Sequence, residues 1–263
     1  MVVFSDLDRS IIYSKKFLKE DDQLDIEIYK GENISYISKD TVELIKKIKN
    51  DSHFIPATTR TIEQFKRMNF KKYGLDFKYV ITSNGGNILI DGMIDREYKI
   101  LIDEKLKSSS PISEVVNLFE GYKSIEGILK FRVVEDLFFY IVIDEDIFDL
   151  KNIEEFTNEI KILKWDCYIS GRKIYFLPRE IKKSTAIEYI CDKFGYKHTF
   201  AIGDSTMDRD MLEFCDYPYI LKHGDLARCI KTNGKFILSE QSGFKGSEEI
   251  LNKVVLCQKN IIK

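Results

Sequence analysis

Short apolar runs alternate with amphipathic segments in the first third of the chain. Residues 2–4, 53–57 and 79–82 contain β-branched and aromatic side chains and predict buried strands. Between the first two runs, apolar residues within 42–48 recur at helical spacing. Each predicted strand ends in small or polar residues. This β-α-β-α-β order favours an α/β fold with a doubly wound parallel sheet.

Local signals also predict where individual elements begin and end. Asp40 is expected to cap the first helix. Thr61 is expected to open a second helix over residues 62–73, which Gly74 ends. The polar stretch ahead of the first helix predicts a flap or hairpin, because residues 24–28 alternate between apolar and acidic side chains.

Antiparallel patterns begin at about residue 87. An Asp-Gly pair at 91–92 between two apolar runs predicts a hairpin. Beyond it the chain predicts an α+β unit, with strands at 129–134, 137–143, 163–169 and 173–177 and helices at 113–120 and 148–160. The parallel pattern then resumes, with helices at 183–194 and 247–256 and strands at 198–202, 217–221 and 235–238. We therefore predict a core domain formed by 1–86 and 178–263 and an inserted domain at 87–177.

Composition narrows the class of protein. The chain has 263 residues, 44% hydrophobic and 32% charged, with a formal net charge of −2. This near-neutral balance does not favour nucleic acid or an anionic membrane as a partner. The five cysteines are scattered without a Cys-x-x-Cys pair, which favours a reducing compartment and no zinc site. Without a signal peptide or an 18-residue apolar run, we expect a cytoplasmic protein, and its oligomeric state is left open.

Two carboxylates follow the first predicted strand. Asp6 and Asp8 are separated by one residue, and residues i and i+2 of an extended segment point to the same side. Ligands of open α/β sheets bind at the carboxyl ends of the strands. Two close negative charges there favour a hard cation such as Mg²⁺. Taken alone, this Asp-x-Asp sequence is equally compatible with an acidic surface turn.

Three further polar stretches lie at equivalent places in the predicted fold. Thr58 follows the second strand, Lys183 opens a helix, and Asp204 and Asp208 follow the strand at 198–202. With the first two carboxylates they supply a nucleophile, a second acid, a hydroxyl, a fixed cation and metal ligands. Phosphoryl transfer requires these groups. A carboxylate that acts as the nucleophile forms an aspartyl-phosphate, which water then hydrolyses.

The ordered combination of these motifs resembles the haloacid dehalogenase-like (HAD) hydrolase superfamily over the whole chain. The motifs are Asp6-Leu7-Asp8, Thr58-Thr59-Arg60, Lys183 and Gly203-Asp204-Ser205-x-x-Asp208. The inserted domain resembles the type IIB cap of Cof-like, sucrose-phosphate and mannosyl-glycerate-phosphate phosphatases. The resemblance implies a Rossmann-like core that carries an α+β cap domain at 87–177.

The resemblance also implies roles for these residues. Asp6 would be the nucleophile and Asp8 the general acid/base. The implied Mg²⁺ ligands are Asp6, the backbone carbonyl of Asp8, and Asp204, with Asp208 supporting the metal site. Thr58 and Lys183 would bind the phosphoryl group. The neighbouring Lys182 offers an alternative register, but Lys183 has the Cof-like spacing of five residues after Pro178.

Substrate contacts are predicted for five residues: Thr59, Arg60, Asn84, Gly85 and, in the cap, Arg172. The Asn-Gly sequence at 84–85 is also compatible with a plain turn. Lys130, Arg132 and Lys173 are further cap candidates that could equally be solvated strand charges. The chain departs from the family pattern at Arg9 and Thr59, where glycine is usual or frequent, and at Met207, where asparagine is frequent. These departures leave the substrate open.

The function expected from the resemblance is a magnesium-dependent phosphatase of a small phosphorylated metabolite, with sugar phosphates among the candidates. A phosphomutase would pass the phosphoryl group to a substrate hydroxyl instead of water. A non-enzymatic sensor of phosphorylated ligands could use the same scaffold, although the presence of both Asp6 and Asp8 argues against it. A dehalogenase is disfavoured because that branch lacks the second aspartate.

Overall fold

The computed structural model describes residues 1–18, 23–230 and 234–261. In chain order its strands are β1 (Val2–Ser5), β2 (Gln23–Tyr29), β3 (Glu32–Ser38), β4 (His53–Pro56), β5 (Tyr79–Thr82), β6 (Asn87–Ile90), β7 (Met93–Ile94), β8 (Ile128–Val134), β9 (Phe138–Ile143), β10 (Trp165–Ser170), β11 (Lys173–Pro178), β12 (Thr199–Gly203), β13 (Tyr217–Ile220) and β14 (Ile237–Leu238). Its α-helices are α1 (Lys39–Asp51), α2 (Ile62–Lys66), α3 (Arg96–Leu106), α4 (Ile112–Phe119), α5 (Glu154–Ile162), α6 (Lys183–Phe194), α7 (Arg209–Phe214), α8 (Leu226–Cys229) and α9 (Gly243–Ile261).

The core is a parallel sheet with the strand order β14-β13-β12-β1-β4. Val2 of β1 pairs with Thr199 on one side and His53 on the other, so β1 lies inside the sheet. All four of its residues are buried, because apolar layers cover both faces. Strand β5 joins the edge through a parallel bridge between Ala57 and Ile81. The predicted parallel α/β core is confirmed.

Two predicted helix boundaries are wrong, and long-range contacts explain one of them. Ser38, not Asp40, caps α1, with its Oγ accepting from the Thr41 N–H at 3.1 Å. Thr61 does open α2 with a capping box, but the predicted helix over 62–73 stops at Lys66. The backbone N–H of Asn69 instead donates to the carbonyl of Ile26 in β2 at 2.7 Å. A separate 3₁₀ turn, Phe70–Tyr73, follows and ends at the left-handed Gly74.

The flap between β1 and α1 is a hairpin of β2 and β3. It is tied to the core through an antiparallel bridge between Tyr13 and Tyr36 and another between Glu27 and Met68. Part of the polar stretch predicted as a flap, residues 19–22, lies outside the described residues. The hairpin therefore lies over the loop that follows Asp8 and over α2.

The inserted domain contains an antiparallel sheet of order β10-β11-β9-β8, as the paired strand patterns predict. Phe119 of α4 and Phe156 of α5 pack on one face of this sheet against Phe139 and Phe176. The predicted helix at 148–160 begins with a 3₁₀ turn, Leu150–Ile153, before α5. The opposite face of the sheet is turned toward the carboxyl ends of the core strands, where its residues line a cavity.

The junction between the two domains contains a helix that the sequence patterns did not predict. Helix α3 buries only Tyr98 and Ile102, so its apolar stripe is too narrow to stand out among charged residues. The predicted hairpin at 91–92 is present as β6 and β7, and β6 pairs with β5 of the core. The boundary at residue 87 stays a prediction, with this hairpin hydrogen-bonded to the core side.

In the ranges that the structure describes, no helix combines the length and apolar character needed to cross a lipid bilayer.

Candidate active site

Asp6 and Lys183 form the buried centre of the site. Asp6 follows β1, and its N–H donates to the carbonyl of Ile202 in β12 at 2.9 Å. The Lys183 Nζ, fully buried at the first residue of α6, donates to Asp6 Oδ1 at 2.6 Å and to Asp208 Oδ1 at 2.7 Å. These two carboxylates raise the pKa of Lys183 although burial opposes them, so the ammonium stays charged. The neighbouring Lys182 does not reach this centre through any hydrogen bond or ion pair seen in the described residues.

Asp208 is held by donors from its own turn. Its Oδ2 accepts from the backbone N–H groups of Asp204 at 3.0 Å and Ser205 at 2.9 Å. A Cβ on Gly203 would lie 2.6 Å from the Cβ of Asp208, so this close turn requires glycine. With Lys183 on its other oxygen, Asp208 is engaged on both sides. It therefore orients the lysine and the Asp204 loop.

Three carboxylates provide a candidate cation site. Asp6, Asp204 and Asp208 are buried, and one oxygen of each lies within 4.8 Å of the others. Asp204 Oδ2 has no hydrogen-bond partner among the described residues, and the Arg9 Nε at 3.3 Å makes only an ion-pair contact with it. A buried carboxylate oxygen without a donor is costly unless a cation neutralises it. An all-oxygen set of this kind fits Mg²⁺.

Burial raises the pKa values of two of these carboxylates. Burial raises the pKa of Asp6 to about 7, against the opposing effect of Lys183. Burial, together with the charges of Asp208 and Asp6, raises the pKa of Asp204 well above its ordinary value. A divalent cation beside these groups would favour their ionised forms.

Asp8 lies on the cavity side of the centre and has a different partner. Its two oxygens accept from Arg60 Nε at 2.7 Å and Arg60 Nη2 at 2.8 Å, while its side chain is 49% exposed. Partial desolvation inside the cavity acts to raise the pKa of Asp8, but the Arg60 guanidinium outweighs it and the net shift is downward. Asp6 and Asp8 lie two residues apart, yet their pKa values are shifted in opposite directions.

Arg60 is held in turn by Glu27, a residue that sequence reasoning missed. The carboxylate of Glu27, fully buried on β2, accepts from Arg60 Nη1 at 2.6 Å and from Arg67 Nη2 at 3.0 Å. The Oγ of Ser35 donates to the same carboxylate at 3.0 Å. All three nitrogens of Arg60 donate to protein acceptors. Arg60 also lines the cavity, so its role in substrate binding stays a prediction beside the observed contact that orients Asp8.

Arg9 adopts a left-handed backbone with φ of 64°. This conformation explains the glycine usual at this place in the family, because only glycine enters it without steric cost. Hydrogen bonds hold the arginine there: its Nη2 donates to the His223 carbonyl at 3.0 Å, and its own carbonyl lies 2.8 Å from His223 Nε2. The departure therefore introduces a cation beside Asp204.

Thr58, Asn84 and Gly85 are buried and are not among the residues that line the cavity. Thr58 is buried, its Oγ1 accepts from the Arg60 N–H at 3.2 Å, and its carbonyl accepts from the Asn84 N–H at 2.9 Å. The Asn84 amide donates to the Ile181 carbonyl at 3.1 Å, and a Cβ on Gly85 would overlap the Lys182 carbonyl. The structure places neither Asn84 nor Gly85 on the cavity wall. Their observed contacts are with the residues just before α6, and their contacts with substrate stay a prediction.

A cavity of about 440 Å³ lies between the core and the cap. Asp6, Asp8, Thr59 and Asp204 line its core side, and Arg172 and Lys173 line its cap side. The cap candidates Lys130 and Arg132 do not reach it. Met207 also lines the cavity, beside Asp204. The enclosed volume suits a small molecule.

The cap is tied to the core through Glu135, which the sequence patterns marked only as a turn residue. Its carboxylate accepts from the Asn87 amide at 2.7 Å, from the Ile62 N–H at 2.9 Å and from the Ser83 hydroxyl. In the same turn, Leu137 packs on Gly86 so closely that a Cβ there would overlap it. The β8–β9 turn thus anchors the cap beside the loop that carries Thr58.

Known proteins share both the sequence pattern and the fold. A family model described as haloacid dehalogenase-like hydrolase matches residues 31–167 and 128–237. The phosphoglycolate phosphatase of Methanobrevibacter smithii is 22% identical over 180 residues, which cover 67% of this chain and 74% of that protein.

Two solved structures match almost the full length. The sucrose-phosphatase of Synechocystis, solved with sucrose and phosphate, has a TM-score of 0.70 at 14% identity and covers 97% of both chains. A trehalose-6-phosphate phosphatase related protein has a TM-score of 0.60 at 17% identity and covers 99% of both. These likenesses confirm the predicted fold. Because the family model spans most of the sequence, this chain belongs to the haloacid dehalogenase-like hydrolase family.

Proposed function

We propose that this hydrolase is a magnesium-dependent phosphatase that acts on a small phosphorylated metabolite through a phosphoryl group carried by Asp6. The observation that carries the proposal is the contrast between two neighbouring carboxylates. Asp6 is buried against Lys183 and clusters with Asp204, one oxygen of which accepts no hydrogen bond from the described residues. Asp8 faces the cavity and is oriented by Arg60. This contrast supports assigning the attack on phosphorus to Asp6 and proton transfer to Asp8.

In the first half-reaction, an oxygen of Asp6 attacks phosphorus and the bond from phosphorus to the leaving oxygen breaks. Asp8 gives a proton to that leaving oxygen. Arg60 lowers the pKa of Asp8, which disfavours the protonated form in the free protein. The negative charge of a bound phosphoryl group opposes this effect and favours uptake of the proton.

In the second half-reaction, Asp8 takes a proton from water, and the oxygen of that water forms the new bond to phosphorus. The bond between phosphorus and Asp6 breaks, which restores the carboxylate and releases inorganic phosphate. Lys183 stabilises negative charge on the phosphoryl oxygens, and its fixed position means that it need not reorganise during the reaction. We also assign Thr58, whose hydroxyl is buried, to binding the phosphoryl group.

Asp6, the backbone carbonyl of Asp8, and Asp204 would hold Mg²⁺, and Asp208 would keep the Asp204 loop in place. When bound, the ion would neutralise charge on the phosphoryl oxygens. The fit rests on the three clustered carboxylates and on the Asp204 oxygen that accepts no hydrogen bond from the described residues.

The size of the cavity and the relatives support a small substrate. A volume of about 440 Å³ accommodates a metabolite rather than a macromolecule. The similar proteins are named for phosphoglycolate, sucrose phosphate and trehalose 6-phosphate. The class that these names share is a phosphate monoester of a small organic molecule.

The test is hydrolysis of p-nitrophenyl phosphate and of a panel of phosphorylated metabolites by the purified protein with Mg²⁺. We expect activity that chelation removes and added Mg²⁺ restores. Asp6→Asn should be inactive and should not gain the mass of a phosphoryl group in intact-protein mass spectrometry. Wild-type turnover in Asp6→Asn, or full activity after exhaustive chelation, would overturn the proposal.

A further inference from the structure

The cations of the cavity wall fall into two groups. Arg9, Arg60 and Arg67 each form an ion pair with a carboxylate that lies in or beside the site. Lys173 and Arg172 also line the cavity, yet neither has a carboxylate within salt-bridge distance in the part of the chain that the structure describes. Both come from the cap, whereas Lys16, the third cation of this second group, comes from the core and contacts the ring of Phe17. Two of the three cavity cations without an ion pair in the described residues therefore lie on the cap side, which faces the leaving group.

The position of Lys173 follows from the register of the cap sheet. Lys173 and Tyr175 lie two residues apart on β11 and so point to the same face, and Tyr140 of β9 pairs with Tyr175. The Lys173 ammonium lies 5.2 Å from the centre of the Tyr140 ring and 6.0 Å from that of Tyr175. The two rings partly desolvate the ammonium without neutralising it. Lys173 therefore keeps its positive charge on the cavity wall.

Lys173 is also electrostatically coupled to the chemical centre. Interaction with Tyr175 and the charge of Asp8 raise the pKa of Lys173, although partial desolvation opposes them. Lys173 in turn is among the cations that lower the pKa of Asp8. Lys173 and Asp8 line the same cavity, so a group bound by Lys173 would share that cavity with the residue proposed to protonate the leaving oxygen.

We infer that the leaving group of the substrate carries a second anionic group, a carboxylate or a further phosphate, which Lys173 and Arg172 bind. The inference rests on the proposed phosphatase function. A cavity with low-dielectric walls and unpaired cations concentrates anions. Charge-assisted hydrogen bonds to an oxyanion would replace the water that both cations lose when substrate fills the cavity. A neutral leaving group would leave them without partners.

Matched substrates test the inference. We compare 3-phosphoglycerate with glycerol 3-phosphate, which lacks the carboxylate, and fructose 1,6-bisphosphate with fructose 6-phosphate, which lacks one phosphate. For at least one pair, kcat/KM of the wild type should favour the more anionic member by on the order of 10-fold or more, the size of a charged hydrogen bond. The pair that shows the preference identifies which anion the cap binds.

Variants connect the preference to the cap cations. Lys173→Met and Arg172→Gln should each reduce the preference, because kcat/KM should fall more for the more anionic member than for the member that lacks the second anionic group. Lys130→Met is the matched control, because Lys130 and Lys173 both pair with Val142 in the same sheet, but Lys130 does not line the cavity. Thermal unfolding should show that all three variants fold.

The outcomes separate this inference from the proposed function. Hydrolysis of p-nitrophenyl phosphate without a preference in either pair overturns the inference and leaves the phosphatase proposal standing. Equal losses on both members of a pair in Lys173→Met would show that Lys173 serves the transferred phosphoryl group, which also overturns it. If no substrate is hydrolysed with Mg²⁺, both proposals fail together.

Discussion

The core and the cap meet at one cavity but contribute different kinds of side chain to it. Core residues such as Asp6, Lys183 and Asp208 are buried and bound to one another. Cap residues such as Lys173 are exposed to the cavity and have no ion-pair partner among the described residues. Core groups that several protein contacts hold in place are suited to a reaction step that is the same for every substrate. Cap groups that have no ion-pair partner among the described residues are suited to binding the variable part of a substrate.

The architecture of each domain explains this difference. The core places its reactive groups at the ends of parallel strands, where β1 is held between two neighbours and every side chain meets other elements. The cap presents the open face of an antiparallel sheet, where alternate side chains point away from its core. Substitutions should therefore be costly for all substrates in the core and selective between substrates in the cap.

The largest effect of a substitution, apart from loss of Asp6 itself, is expected at Lys183. Lys183→Met removes the buried ammonium from between Asp6 and Asp208 and should lower kcat on the order of 10²-fold or more for every substrate. Steady-state kinetics on aryl and alkyl phosphates measures the effect. Lys182→Met is the control and should retain near wild-type activity. A larger loss in the Lys182 variant would show that the register of this motif is wrong.

Asp8→Asn should be selective for the second half-reaction. General acid–base assistance contributes about 10²–10⁴-fold, so turnover should fall by that order. A good leaving group needs little protonation, so an aryl phosphate should still phosphorylate Asp6 while hydrolysis stalls. Intact-protein mass spectrometry should then detect accumulated phosphorylated protein. Absence of this species together with full turnover would remove Asp8 from the acid/base role.

Glu27→Gln tests the positioning of Asp8 through Arg60. Loss of the buried charge should lower the free energy of unfolding by about 1.5–3 kcal/mol, the contribution of hydrogen bonds to charged groups. Its effect on turnover should be greater for alkyl than for aryl phosphates, because a misplaced Asp8 matters most when the leaving oxygen needs a proton. Urea unfolding and kinetics with both substrate classes provide the measurements.

The matched control for Glu27 is Glu63→Gln. Glu63 also pairs with Arg67, but at 3.8 Å and with its side chain 87% exposed, so the change should affect stability by well under about 1 kcal/mol. A purely structural role for Glu27 would lower stability without changing the ratio of alkyl to aryl turnover.

The smallest effect is expected at the contact between the two domains. Glu135→Gln weakens the link from the cap turn to Ser83 and Asn87, and we expect a loss in kcat/KM of about 2- to 10-fold, as for one hydrogen bond. The loss should be greater for a metabolite that reaches the cap than for p-nitrophenyl phosphate. Asp136→Asn, in the same turn, is the control. Faster amide exchange in β8 and β9 should accompany the Glu135 change, and unchanged exchange would contradict an anchoring role.

Part of this architecture follows from signals close together in the chain. Helix α6 has the predicted bounds, because Lys183 opens it and Gly195, with φ of 68°, ends it in the left-handed conformation. The pairing of β8 with β9 across Glu135 and Asp136 follows in the same way from alternation and a turn. Sequence order also placed Asp6, Thr58 and Asp204 at the ends of strands that turn out to be neighbours.

Other features depend on surfaces that meet only after folding. The helix predicted over 62–73 is interrupted because Asn69 donates to Ile26, a residue 43 positions earlier that no local pattern connects to it. Glu27 lies on a strand whose alternation assigns it to the solvent face, yet two arginines and a serine bury it. The sequence alone determined the parallel core, the order of the motifs and the spacing of the two aspartates, since these depend on local periodicity and turn chemistry. The tertiary structure decided which carboxylate meets Lys183, which meets Arg60 and which cap cations remain unpaired, because ion pairs between distant residues form only where packing brings their elements together.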